Sequence, residues 1–138
     1  MGSEMPVNVE GVCTLIEVFD MPTSIAFYCE LLGFEIVSTS NPDGPFGWAW
    51  LRLNDAELML NTMYDEDDER PPEPDSRRVA AHRDTCLYFG CRDVDAAYEY
   101  LRTHGMNVEK PVVQSYGMKQ LYLTDPDGYG ICFQWRAS

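Results

Sequence analysis

The sequence predicts an α+β fold in which two βαβββ modules form a concave mixed sheet. Three observations favour it. The order strand, helix, three strands occurs twice in 138 residues; equivalent positions lie 73 residues apart, as Cys13 and Cys86 do; and apolar side chains alternate along the strands. Such a repeat is typical of two modules that share a concave surface. We therefore expect one domain, with module one at 10–63, an acidic connector at 64–83 and module two at 84–136.

Module one begins with a predicted strand over 12–19. Asp20 is a suitable N-cap for the helix that follows, because a short polar side chain satisfies free N–H groups at a helix start. Gly33 marks the end of this helix, since glycine readily adopts the left-handed conformation of a C-terminal cap. The remaining strands of the module are predicted over 34–39, 48–53 and 57–63.

Module two repeats this order after the connector. The stretch 64–80 carries seven acidic residues and three prolines. Such a composition does not form a packed core, so we expect a solvated and mobile connector. Asp93 and Gly105 are the predicted limits of the second helix. The strands of this module are predicted over 85–91, 106–109, 119–124 and 130–135.

Composition excludes several classes of function. The net charge is −13 with a pI near 4.3, which disfavours contact with nucleic acid or anionic lipid. No apolar run approaches the roughly 18 residues of a membrane span, and the N-terminus lacks the features of a signal peptide. Five cysteines without a C-x-x-C pair are typical of free thiols in a reducing cytosol. We expect a cytoplasmic protein with no nucleic-acid or membrane partner.

Two motifs carry a resemblance to a known family. The pattern D-x-x-x-S-x-x-F-Y-x-x-x-L-G runs from Asp20 to Gly33, and D-P-D-G-Y runs from Asp125 to Tyr129. The chain resembles the vicinal oxygen chelate superfamily, which holds glyoxalase I, extradiol dioxygenases, fosfomycin-resistance enzymes and bleomycin-resistance proteins. The resemblance covers residues 12–135. It implies a glyoxalase/bleomycin-resistance-like fold and a homodimer whose cleft is partly built across the interface.

The resemblance also implies where a metal would be bound. In metal-dependent members four side chains converge on one divalent ion, and these positions correspond to Cys13, Met59, Cys86 and Cys132. None offers the nitrogen or oxygen ligands that Mg²⁺, Mn²⁺, Fe²⁺ or Ni²⁺ chemistry on this fold requires. Two interpretations remain: a sulfur site for a soft metal such as Cu(I), Zn²⁺ or Hg²⁺, or an apolar pocket floor. Thiols in apolar surroundings ionise poorly, so we favour the second and expect no metal and no cofactor.

Strand alternation places further candidates on the same face as these sulfur atoms. Glu17 and Glu57 enter a partly apolar cavity, where each needs a functional role, a pair to Arg52 or a place at the rim. Trp48 and Trp50 either stack on a flat or cationic ligand or serve as plain packing. The expected ligand-binding residues are Cys13, Glu17, Trp48, Trp50, Glu57, Met59, Asn61, Cys86, Tyr88, Tyr116, Cys132 and Gln134.

Residues that alternate with these candidates are apolar and predict the core face that the helices cover. The histidines are given no catalytic role: His104 is expected to stabilise the end of the second helix, and His82 lies in the connector. The predicted core face comprises Val12, Thr14, Ile16 and Val18, then Leu87, Phe89 and Cys91, then Ile131, Phe133 and Trp135.

The favoured function is that of a metal-free binding protein, resembling the bleomycin-resistance branch, that sequesters a small aromatic or cationic ligand in the concave cavity. The alternative is a glyoxalase-type lyase or isomerase, or a dioxygenase-like enzyme. It would use a thiolate-bound metal or an acid–base pair of Glu17 and Glu57. A third possibility is a structural or regulatory module without a ligand. No catalytic residue is assigned.

Overall fold

The computed structural model describes residues 5–64 and 69–137 and has the expected α+β architecture. No helix in these two ranges is long and apolar enough to cross a membrane. Module one contains β1 (Thr14–Glu17), α1 (Met21–Ile25) with a π-helical continuation (Ala26–Leu31), β2 (Glu35–Thr39), β3 (Trp48–Leu53) and β4 (Ala56–Asn61). Then come α2 (Ser76–Ala81), a 3₁₀ turn (His82–Asp84), β5 (Cys86–Gly90), α3 (Val94–Thr103), β6 (Val112–Val113), β7 (Met118–Thr124) and β8 (Gly130–Arg136).

The two described sheets share one topology. Their strand orders are β1-β4-β3-β2 and β5-β8-β7-β6, and in each sheet the first strand runs parallel to the last. Thr14 pairs with Leu58, and Leu87 pairs with Ile131. Both partners in the second sheet lie 73 residues beyond their counterparts, so the internal repeat predicted from the sequence is confirmed by the strand register.

One face of each sheet forms the core. Ile16, Leu58 and Leu60 are buried in the first sheet, and Leu121 and Ile131 in the second. Each fully buried aliphatic side chain contributes about 1.5–3 kcal/mol through removal from water. The expectation that Val12 joins this face is wrong: its side chain is 85% exposed, because β1 begins only at Thr14.

The two modules meet through the helix of module one, through Phe34 that follows it, and through the end of β1. The Tyr28 hydroxyl donates to Asp125 Oδ2 at 2.6 Å, and the rings of Phe34 and Phe89 meet edge to face with centroids 5.8 Å apart. The edge strands β1 and β5 belong to separate sheets and are not hydrogen-bonded to each other. Each sheet therefore has its own face opposite the core, which we call its open face.

The predicted helix limits agree with the structure. Asp93 accepts a hydrogen bond from the Ala96 backbone N–H at 2.9 Å, as an N-cap should. Asp20 occupies the same position before α1 but makes no such bond. Gly33 and Gly105 end the two helical stretches with φ of +93° and +85°.

The structure adds detail to two irregular regions. Residues 76–84 of the predicted connector form α2 and a 3₁₀ turn, neither of which has a buried residue; Asp75 caps α2 by accepting from the Arg77 N–H at 2.9 Å. The connector residues 65–68 lie outside the described ranges. The strand expected over 106–109 begins at Val112, where pairing with β7 starts.

Candidate functional site

The open face of module two carries a cluster of tyrosines around a sulfur. Tyr88 on β5 and Tyr122 on β7 both pair in register with Cys132 on β8. Cys132 is fully buried, while the two tyrosine rings meet edge to face with centroids 6.4 Å apart. Strand pairing thus brings residues from three strands to one place on the sheet.

A cavity of about 640 Å³ opens beside this cluster. Cys86, Tyr88, Gln120 and Tyr122 line its sheet side, and the segment 106–110 lines the opposite side. All lining residues lie between Arg83 and Gly130, so module one does not contribute to this cavity. The volume is within the range of small-molecule sites in proteins, about 300–1,000 Å³.

Gln120 is the centre of a hydrogen-bond network in this wall. Its Oε1 accepts from the Tyr122 hydroxyl at 2.8 Å and from the Tyr116 hydroxyl at 3.1 Å. Its Nε2 donates to Gln134 Oε1 at 2.8 Å, and the Tyr88 and Tyr122 hydroxyls lie 3.3 Å apart. The hydrogen bond with Tyr88, then burial, raises the pKa of Tyr122, so this phenol stays protonated at neutral pH.

The directions of these hydrogen bonds determine which polar groups the wall offers to a ligand. Tyr122 and Tyr116 each give their only hydroxyl proton to Gln120. The Tyr88 proton is then the one that lies between the Tyr88 and Tyr122 oxygens. Tyr88 and Tyr116 are exposed and keep free lone pairs on their oxygens. The wall therefore presents hydrogen-bond acceptors and favours a ligand that donates.

The open face of module one presents an indole and a carboxylate. Trp50 and Met59 are paired in register on β3 and β4. The Trp50 Nε1–H donates to Glu57 Oε1 at 2.8 Å, and the Arg52 guanidinium lies 5.4 Å from the centroid of the same ring. Glu57 thus has the indole as a partner, although Arg52 lies directly opposite it in the register.

The second carboxylate of this face is Glu17. Asn61 Nδ2 donates to Glu17 Oε1 at 2.8 Å, and Trp48 pairs with Asn61 in register. The Glu17 backbone N–H donates to the Tyr129 hydroxyl at 3.2 Å. Both carboxylates proposed as an acid–base pair are therefore hydrogen-bonded to neutral groups of their own sheet.

The four sulfur positions remain in two pairs. Cys86 and Cys132 lie on neighbouring strands of module two, while Cys13 and Met59 belong to module one. Across residues 5–64 and 69–137, no group of three or more His, Cys, Asp or Glu side chains is arranged to hold a metal ion. The three cysteines of the expected cluster are therefore not brought together as metal ligands within these ranges of one chain.

The thiols in these pairs are protonated at neutral pH. Burial raises the pKa of Cys86 and of Cys132. Burial and the negative charge of Glu57 raise the pKa of Cys13. Because the thiolate is the form that binds metals, a raised pKa weakens these residues as ligands.

Sequence reasoning missed Gln120 and Tyr122. The strand that carries them was predicted, but its faces were not assigned. Pairing of β7 with β8 places Gln120 beside Gln134 and Tyr122 beside Cys132. Alternation along β7, read together with the predicted face of β8, was the available signal.

His82 was also missed, and the structure gives it a defined place. Its ring stacks on Tyr129 with centroids 4.0 Å apart and planes 9° apart. Nδ1–H donates to the Asp127 carbonyl oxygen at 2.7 Å, and the Tyr129 hydroxyl lies 3.3 Å from Nε2. His82 therefore joins the connector to module two. No local sequence pattern indicates this contact.

A comparison with known families decides the identity of the fold. The family model described as "Glyoxalase/Bleomycin resistance protein/Dioxygenase superfamily" matches residues 12–133. The chain belongs to this superfamily. The match spans both modules of the repeat.

The similar sequences and the similar solved structure carry different functional descriptions. An uncharacterized protein of Escherichia coli K12, YaeR, is 31% identical over 111 residues, which is 79% of this chain and 82% of YaeR. A lactoylglutathione lyase of Haemophilus influenzae is 29% identical over 127 residues, 87% of each chain. A bleomycin-binding protein solved with bleomycin has a TM-score of 0.65 at 20% identity, covering 93% of this chain and 99% of that one. The last likeness shows a shared fold.

The four positions that the resemblance assigns to a metal do not fit a divalent cation in this member of the superfamily. Their donors are three protonated thiols and a thioether, where the superfamily's metal chemistry requires oxygen and nitrogen ligands. The separation of the two pairs in one chain adds to this mismatch. We therefore derive no reaction step through a metal.

Proposed function

We propose that this member of the superfamily is a metal-free binding protein that sequesters a small aromatic or cationic ligand on the open faces of its sheets. The tyrosine–glutamine network beside the 640 Å³ cavity is the observation that supports this most. It supplies aromatic surface and satisfied buried polar groups, and the Tyr122 phenol and the neighbouring Cys86 thiol are both protonated at neutral pH because their pKa values are raised. Such a wall binds and orients a molecule without reacting with it.

The chemistry of the wall supports a ligand that is flat and donates hydrogen bonds. The exposed rings of Tyr88 and Tyr116 offer stacking surface and acceptor oxygens. The net charge of −13 favours the approach of cations. The fold shared with a bleomycin-binding protein agrees with a role in small-molecule binding.

We also propose that the protein works as a homodimer. In one chain the indoles of Trp48 and Trp50 and the tyrosines of module two lie on separate sheets. A second copy that sets its module one against the partner's module two would combine them in one cleft. The five free cysteines support a reducing compartment such as the cytoplasm.

Calorimetric titration with bleomycin and a panel of cationic aromatic compounds tests the binding function. We expect saturable binding by at least one compound, weakened about tenfold or more by Tyr88→Ala, since aromatic anchors that become covered on binding carry much of the binding energy. Tyr100→Phe, which changes an exposed tyrosine of α3, is the matched control and should bind normally. Unchanged affinity in the Tyr88 variant would argue against this site.

The relative named lactoylglutathione lyase favours a second candidate, a glyoxalase-type lyase. Incubation with methylglyoxal and glutathione, with Ni²⁺, Zn²⁺ or Mn²⁺ added in turn, tests it. We expect no metal-dependent thioester formation. Turnover that Glu57→Gln abolishes and Asp55→Asn leaves intact would establish the lyase instead, because Asp55 is a neighbouring acid in the β3–β4 turn.

A further inference from the structure

The side-chain amide of Gln120 is buried, and both of its polar atoms have partners that can reverse their roles. Gln120 is 3% exposed, so neither end of its amide can turn to water. Its Oε1 faces the hydroxyls of Tyr116 and Tyr122, and its Nε2 faces Gln134 Oε1. A hydroxyl both donates and accepts, and a glutamine amide carries an acceptor and a donor on one planar group. The direction of every bond to Gln120 is therefore reversible.

A reversed arrangement satisfies the same contacts. When the amides of Gln120 and Gln134 each turn by half a rotation, oxygen and nitrogen exchange places and the other heavy atoms stay where they are. The two N–H groups of Gln120 Nε2 then donate to the Tyr116 and Tyr122 oxygens, one to each, and Oε1 accepts from Gln134 Nε2. The hydroxyl protons of the two tyrosines are released from Gln120.

The contact between Tyr88 and Tyr122 passes this reversal on to the cavity. Their hydroxyl oxygens are 3.3 Å apart, and either one can be the donor. Once the Tyr122 proton is released it turns to the Tyr88 oxygen, and the Tyr88 proton then points to a ligand. The Cys132 thiol, which also contacts the Tyr122 hydroxyl, is a weak donor and a weak acceptor and fits both arrangements. Tyr116 likewise turns its proton outward.

The two glutamines must turn together. If only Gln120 turned, its Oε1 would lie about as close to Gln134 Oε1 as its Nε2 does now, at 2.8 Å, and neither oxygen would have a donor. Such buried and unpaired groups are costly. Among the residues that the structure describes, the Gln134 side chain makes no other hydrogen bond, so nothing else fixes its direction. The wall therefore has two states, one that accepts hydrogen bonds and one that donates them.

We propose that Gln120 and Gln134 form a polarity switch, which lets the wall of the 640 Å³ cavity bind flat ligands that accept hydrogen bonds as well as ligands that donate them. The structure contains the accepting state. A ligand favours the state that it binds better, and it shifts the balance by the difference between its two affinities. The inference rests on the proposed function and widens its ligand class from donors to acceptors.

Two uncharged fragments of similar shape test the switch: indole, which donates, and quinoline, which accepts. Gln134→Glu has only acceptor oxygens, so it holds Gln120 Nε2 toward position 134 and fixes the accepting state; Gln134→Lys has only donors and fixes the donating state. NMR titration gives the ratio of the quinoline to the indole dissociation constant. We expect this ratio to rise about tenfold or more in Gln134→Glu, since quinoline would leave the tyrosine oxygens unpaired, and to fall in Gln134→Lys.

A matched control separates polarity from added charge. Asn54→Asp makes the same change from amide to acid in the exposed β3–β4 turn of module one, and should keep the wild-type ratio. A ratio that moves in the same direction in both Gln134 variants, or in neither, would overturn the switch, and so would a wild-type protein that does not bind quinoline. Bleomycin binding that Tyr88→Ala weakens would then leave the binding function standing, whereas loss of that binding too would overturn both.

A second measurement needs no substitution. In the indole complex the side-chain amide protons of Gln120 should give nuclear Overhauser contacts to the Gln134 side chain. In the quinoline complex they should give contacts to the rings of Tyr116 and Tyr122, because the amide has turned. The same contacts in both complexes would overturn the proposal.

Discussion

Two carboxylates in the turn before β8 tie module one to module two. Asp125 and Asp127 are both buried. Asp125 accepts from the Tyr28 hydroxyl at 2.6 Å, and Asp127 accepts from the Phe19 N–H at 2.7 Å. Burial raises the pKa of each carboxyl, although the hydrogen bonds oppose this rise. The D-P-D-G motif is therefore a structural contact between modules in this chain.

Removal of one of these bonds should cost stability. Tyr28→Phe leaves a buried oxygen of Asp125 without its hydroxyl donor, and we expect the free energy of unfolding to fall by about 1.5–3 kcal/mol. Tyr100→Phe removes a hydroxyl that donates to the Leu31 carbonyl oxygen on the exposed surface, and should cost about 1 kcal/mol or less. Urea denaturation measures both. Equal losses would show that the hydrogen bond to Asp125 contributes no more to the free energy of unfolding than the exposed one does.

The same carboxylates predict a pH dependence. Their pKa values in the folded state lie above the ordinary value of 3.8, so the folded protein holds these protons more tightly than the unfolded chain does. The free energy of unfolding should then fall as the pH rises from about 4 through the raised pKa values. Asp125→Asn should reduce that fall. Equal pH slopes for both proteins in urea denaturation would contradict this.

At the scale of elements, the contact between the connector and the β7–β8 turn depends on a glycine. Gly128 has φ of +91°, and an added Cβ would lie 2.6 Å from the Val79 carbonyl oxygen. Gly33 has nearly the same φ, +93°, with nothing within 4 Å of an added Cβ. Substitutions at these two glycines therefore distinguish the cost of backbone strain, which both share, from the cost of a steric clash, which only Gly128 adds.

We expect Gly33→Ala to cost about 1–2 kcal/mol, the strain of a left-handed residue. Gly128→Ala should cost at least about 1 kcal/mol more, because the backbone of α2 must also move. Thermal and urea denaturation of both variants measure the difference. Similar losses for the two would indicate that α2 is not held against the turn in solution.

Element limits could be predicted wherever a local signal exists. Asp93 and Gly105 bracket a helix because capping chemistry depends on neighbours in the sequence. The position of β6 and the order in residues 76–84 could not be predicted in this way. Val112 pairs only where β7 passes it, and the 3₁₀ turn after α2 is bonded through His82 to the Asp127 carbonyl oxygen, 45 residues farther along. Such contacts leave no local pattern.

At the scale of the whole molecule, the repeat allowed the open faces to be predicted. The 73-residue offset and strand alternation placed Tyr88, Cys132 and Gln134 on one face, in agreement with the pairing of β5 with β8 and the bond from Gln120 to Gln134. The separation of the two sulfur pairs could not be predicted, because it depends on how the modules pack. That packing is set by buried contacts such as Tyr28 with Asp125.

Metal content is a second property of the whole molecule. Protein purified under reducing conditions should contain far less than one equivalent of any transition metal, since the thiols are protonated and lie in two pairs. Elemental mass spectrometry measures this. One equivalent of zinc or copper per chain, lost in Cys132→Ser and kept in Cys29→Ser, would restore the soft-metal interpretation.

Binding of a small molecule to the open face of module two can be followed residue by residue. An NMR titration of isotope-labelled protein with bleomycin and with the cationic aromatic panel measures it. We expect saturable shifts that centre on Tyr88, Gln120 and Tyr122. Absence of any saturable shift across the panel, or shifts that avoid these three residues, would contradict it.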